Sequence, residues 1–98
     1  MSTDVQPAPL VTIVGQSNMS DRQGTITVQA ATQELVLSPE GRTAALQHAV
    51  AQGLSRPGIS SHGGAYPIDA EGRHDEDVMM GRRPTVGYRC DYRVTAGL

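Results

Sequence analysis

Apolar residues change rhythm several times along this chain, and each rhythm predicts an element. The run LVTIVGQ, residues 10–16, is β-branched and nearly continuous in its apolar character. That predicts a strand buried on both faces. The polar stretch SNMSDRQG reads as a turn ending at Gly24. TITVQA then alternates cleanly, with Ile26, Val28 and Ala30 on one face and Thr25, Thr27 and Gln29 on the other. This is the period of a half-buried strand. A short ATQ link leads to ELVL, where Leu35 and Leu37 would face the core. Residues 24–37 therefore read as a hairpin.

The rhythm next becomes helical. In SPEGRTAALQHAVAQG, Ser38 suits an N-cap, Pro39 the first helical position and Glu40 the positive end of the helix dipole. Leu46, Ala49, Val50 and Gly53 recur at helical spacing, and Gly53 can end the helix in a left-handed conformation. From residue 55 to residue 84 no period persists. Five Gly and three Pro in these thirty residues predict a long loop. Its apolar islands, Tyr66-Pro67-Ile68 and Val78-Met79-Met80, read as anchors onto the domain or onto a partner. The last stretch, TVGYRCDYRV, carries the strongest period-two signal. Val86, Tyr88, Cys90, Tyr92 and Val94 share one face, opposite Gly87, Arg89, Asp91 and Arg93.

The elements predict an α+β fold: a small single-layer antiparallel or mixed sheet of about four strands, with one helix on one face and the loop before the last strand. Residues 1–9, with Pro7 and Pro9, read as a flexible arm, and residues 10–98 as one domain. A chain of 98 residues has room for one thin core. Leu, Ile and Val total only 19 and Phe is absent, but a net charge of −2 is too small to drive disorder.

All eight basic residues are Arg, yet the balance is slightly acidic, which disfavours general nucleic-acid binding. Arg82, Arg83, Arg89 and Arg93 form at most an interrupted stripe, with Tyr88 and Tyr92 on the opposite face from the strand's arginines. Cys90 is the only cysteine and sits on the apolar face of its strand, as a small core residue does. A single cysteine and an acidic N-terminus without a leader pattern predict a cytoplasmic protein, or part of an intracellularly assembled particle. No apolar run is long enough to span a bilayer.

Three groups of residues invite a chemical reading. GQSNM, residues 15–19, follows an apolar run and resembles the first block of SGNH-type esterases, especially the sialate O-acetylesterase-like branch. The resemblance implies that Ser17 is a nucleophile. It also implies oxyanion donors from a Gly and an Asn in later blocks, and a base from an Asp-x-x-His near the end. It covers about a tenth of the chain, and the family domain is roughly twice as long, as a doubly wound sheet requires. The block here leads into a strand pattern, and the nearest substitute for the base is His74, in Glu71-Gly72-Arg73-His74. Without a base and an oxyanion hole, Ser17 reads as a turn residue.

His74-Asp75-Glu76-Asp77, with His62 and Asp69 upstream, has metal-ligating residue types but no metal-site spacing. Ion pairs with Arg82 and Arg83 are the competing reading. His48 sits toward the edge of the helix stripe and reads as a boundary residue.

The sequence therefore points to a non-enzymatic protein-interaction or structural module. It would be a subunit of a homo- or hetero-oligomeric assembly, as phage particle components often are. Strand pairing at a sheet edge, with Tyr66, Ile68, Met79, Met80, Arg82 and Arg83 at the partner surface, would be the mechanism. The partner would be a protein, self or other. No cofactor, metal, membrane or small-molecule substrate is implied. The alternative is a small SGNH-like serine esterase using Ser17 and His74.

Overall fold

The computed structural model describes residues 10–97. The order of elements is β1 (Val11–Ser17), β2 (Gln23–Ala30), α1 (Gln33–Val36), α2 (Pro39–Ala51), β3 (Gly58–His62), β4 (Tyr66–Ile68), α3 (Glu76–Met79) and β5 (Gly87–Thr95). The fold is α+β. Five strands form one open antiparallel sheet in the order β1-β2-β5-β3, with β4 pairing the same side of β5 further along. The expected arm over residues 1–9 lies outside the described residues.

The alternation of β2 and β5 explains the core. Ile26 and Val28 on β2, and Cys90, Tyr92 and Val94 on β5, are fully buried on one face, where α1 and α2 pack. The β5 period holds from Tyr88 onward. Val86, which shares that parity, precedes the strand and is exposed.

β1 departs from its expected burial. It is an edge strand, and none of its residues is buried. Its apolar run signals two-sided contact, but only Val11 and Ile13 pack against the core, while Val14 is 41 % exposed. A register shift between Ile13 and Gly15 marks a bulge. Beyond it, Gln16 pairs with the core-facing Ile26, and Ser17 with Thr25. A bulge re-aims the side chains that follow it. Gln16 consequently reaches α2, where its Oε1 lies 2.6 Å from His48 Nε2.

The strand expected at ELVL, the second of the 24–37 hairpin, is a helix instead. Thr32 caps α1 by accepting from the Leu35 amide (3.1 Å), and Glu34 lies in the first turn. Ser38 closes the turn by donating to the Leu35 carbonyl (2.5 Å) and begins α2 by accepting from the Gly41 amide. Two consecutive caps six residues apart override the period-two pattern. Val36 is then the residue that is fully buried, rather than Leu35 or Leu37.

Helix α2 has the expected start, but its buried stripe is Gly41, Ala45 and Ala49, and Val50 is 57 % exposed. Small residues let it lie close to the sheet and to α1. It ends in a Schellman motif, with Gly53 at φ 104°. The Gly53 amide donates to Val50 O, and the Leu54 amide to Ala49 O, each at 3.0 Å. Leu54 is thereby buried.

The expected loop over 55–84 is ordered, and three short elements lie within it. Neither β3 nor β4 carries a long alternating run, because each is brief and borrows its order from β5. Their connections bend at Gly64 and Gly72, both in the left-handed region.

Candidate functional site

The described surface offers two features for function, and both arise from the sheet. The first is the outer edge of β1. Among the described residues this strand pairs with β2 on one side only. Among the described residues it is the longest unpaired edge, because β3 has five residues and β4 has three, including Pro67. Its sequence VTIVGQS contains no charge and no proline. Sheet edges are commonly blocked against pairing by charge, proline, shortness or a bulge, and β1 has only the bulge. Val14 and the adjoining Leu10, 67 % exposed, place apolar side chains beside this edge.

The second feature is a cleft of about 530 Å³ on the sheet face opposite α2. Cross-strand register builds its floor: Thr12 pairs with Gln29, and Gln29 with Arg89. Leu10, Ile68 and Val86 form apolar walls. Arg89 Nε donates to Gln29 Oε1 (2.9 Å) and Arg89 Nη1 to the Gly72 carbonyl (3.2 Å). Gly72, at φ 78°, permits this approach, since a Cβ there would come within 2.8 Å of Arg89 Nη2.

Asp69 positions the rim. It is 4 % exposed and accepts from the backbone amides of Glu71 and Arg73, each at 2.9 Å, and from Arg73 Nε at 3.0 Å. Arg83 Nε lies 2.9 Å from the same carboxylate, but its N–H is not aimed at it, so this contact is ionic. The Arg73 amide, with further help from the Glu71 amide and the Arg73 guanidinium, outweighs desolvation and pulls the Asp69 carboxyl down to about 2. Arg83 also pairs with Asp75 and Asp77, and Arg82 with Asp77. At Asp75, desolvation is outweighed by the Val78 amide and the Arg83 guanidinium, so its carboxyl also lies below its ordinary range.

The acidic loop is thus an ion-pair network with Arg73, Arg82 and Arg83. Among the described residues no three His, Cys, Asp or Glu side chains are placed to hold a metal. His62 lies away from the acidic run, packed on Tyr92 with ring centroids 5.5 Å apart.

The expected partner anchors divide. Met79 and Met80 are each 65 % exposed. Ile68 is 2 % exposed, so it offers a protein partner almost no surface and reaches solvent only within a wall of the cleft. Tyr66 is half-buried; its hydroxyl lies 3.4 Å from Asp91 Oδ1 and its ring stacks on His74 at 4.8 Å. Burial, and then the Asp91 carboxylate, push the Tyr66 phenol upward. Arg82 and Arg83 spend their charge within the loop. Cys90 is buried, and burial raises its thiol, which removes it from nucleophilic chemistry.

The Ser17–His74 pairing fails on geometry. Ser17 lies in the row of Thr25, Arg93 and Ser61. His74 Nδ1 is 2.7 Å from the carbonyl of Pro67, whose row holds Tyr88, Ala30 and Val11. Five residues along β5 and three strand spacings across the sheet separate the two by roughly 20 Å. Nor does GQSNM lead into a helix. Ser17 ends a hairpin strand, and the next turn is closed by Ser20, which accepts from the amides of Arg22 and Gln23.

Among the described residues no helix is long and apolar enough to cross a membrane. No protein-family model matches this chain, and no curated protein or solved structure is similar enough to count as a relative.

Proposed function

We propose that this protein is a non-enzymatic interaction module that assembles by pairing β1 with β1 of a second copy. The observation that carries this reading is the uncharged, proline-free edge of β1, with Leu10 and Val14 exposed beside it. An antiparallel pair of identical edges has twofold symmetry, so a residue that meets a second position on the partner is met by that same pair in return, and only residues at the axis face their own equivalents. The pairing would extend an already antiparallel sheet across the subunit boundary. The bulge limits the pairing to one side of Val14 or bends it there.

Val14→Lys tests this reading. A lysine at a free edge opposes strand addition and leaves the core untouched. Cross-linking of the purified protein with a carbene-generating photo-reagent, which needs no ionisable side chain in β1, followed by mass spectrometry, is expected to join the β1 segments of two copies in the native chain and not in the variant. Cross-links confined to other surfaces would refute β1 pairing.

A further inference from the structure

We propose that the cleft above Arg89 is a binding site for a carboxylate carried on an apolar body. This inference stands on the cleft face of the sheet and does not require β1 pairing, although Leu10 borders both the cleft and the β1 edge. Three side chains able to donate hydrogen bonds lie in one row across three strands, Thr12, Gln29 and Arg89. Such neighbours are spaced at about 5 Å, close enough to serve one small ligand.

Arg89 fixes how the row is used. Its Nε takes Gln29 Oε1, so the amide nitrogen of Gln29 is left as a donor. Its Nη1 takes the Gly72 carbonyl, while Nη2 makes no hydrogen bond among the described residues. Arg89 also makes no ion pair among the described residues, unlike Arg73, Arg82 and Arg83. A permanently charged guanidinium that is half-buried, braced by two neutral acceptors and lacking a counter-ion suits a planar two-oxygen anion.

The nearby acids do not fill that role. Asp69 is held by Arg73 and Arg83, and Glu71 by Arg73 at 2.5 Å. Asp91 accepts from Thr27 Oγ1 at 2.5 Å and from Tyr66. The walls define the rest of the ligand. Leu10, Ile68 and Val86 are apolar, and about 530 Å³ accommodates a short hydrocarbon chain or a terminal apolar residue. A short-chain acid and a polypeptide C-terminus share this chemistry.

The test is an NMR titration of the full, ¹⁵N-labelled chain with hexanoate, hexanamide, inorganic phosphate, and acetyl-Leu-Val as its free acid and its amide. Saturable shifts at the Gly72 and Gly87 amides and at Arg89 Nε–H are expected with the two acids. The corresponding amides should bind about tenfold or more weaker, the loss typical of a hydrogen bond to a charged group. Tighter binding of hexanoate would point to a free acid as the source, and tighter binding of the peptide acid to a chain terminus. Arg89→Met should abolish the preference for acid over amide. Val86→Asp, at an exposed rim position away from the β1 edge, should weaken both acids without disturbing the sheet. Equal binding of acid and amide, phosphate binding as well as hexanoate, or no saturable shift with either acid would each overturn the proposal.

Discussion

The hydroxyl of Tyr92 donates a 2.7 Å hydrogen bond to the carbonyl oxygen of Val36, and both residues are fully buried. This bond ties the last strand to the four-residue helix α1, whose terminal carbonyls have few partners of their own. Tyr92→Phe preserves the ring and leaves that carbonyl unpaired in the core. The expected loss is about 1–3 kcal/mol of stability, read from urea unfolding. An unchanged midpoint would show that the bond contributes nothing net.

Gly41 gives a prediction opposite to helix propensity. In an ordinary helix interior, Gly→Ala stabilises by up to about 1 kcal/mol. Here a Cβ would press directly on the Val36 carbonyl oxygen, where α2 begins against α1. Gly41→Ala should therefore lower the thermal midpoint. A rise would mean that α1 can move aside freely.

Asp69 predicts an acid transition. Its carboxyl titrates at about 2 in the folded chain, below the ordinary 3.8. A depressed acid contributes stability that is complete above its unfolded value and is lost as pH falls through the folded one. Thermal midpoints should fall more steeply between about pH 4 and pH 2 in the native protein than in Asp69→Asn. At pH 7 the variant should be less stable, because the Arg73 and Arg83 guanidiniums lose their anion. Parallel pH curves would remove Asp69 from this role.

Ser17 predicts an absence of effect. It ends an exposed strand, and His74 is held at the other end of the sheet by Pro67. Ser17→Ala should change neither stability nor any background hydrolysis of acetyl esters. A measurable esterase activity lost in this variant would restore the nucleophile reading.

The legible parts of the fold were those with local causes. Alternation in residues 25–30 and 88–94, and the Ser38-Pro39-Glu40 start of α2, carry their own signals. Residues 33–36 misled because Leu35 and Leu37 mimic strand spacing, while the deciding groups are the hydroxyls of Thr32 and Ser38. The segment 55–84 has no period because its order comes from distant partners: β5 holds β3 and β4, and Asp69 gathers Arg73 and Arg83. The Thr12–Gln29–Arg89 row depends on register across three strands, which no local pattern encodes. The residue types of the acidic loop were visible as candidate ligands, but their pairing with arginine is a matter of geometry.

Assembly through the β1 edge can be read from sedimentation equilibrium of the native chain and of Val14→Lys over a wide concentration range. Reversible dimerisation of the native chain is expected, with the variant a monomer at the same concentrations. A native chain that stays monomeric throughout, or a dimer that Val14→Lys leaves intact, would contradict it.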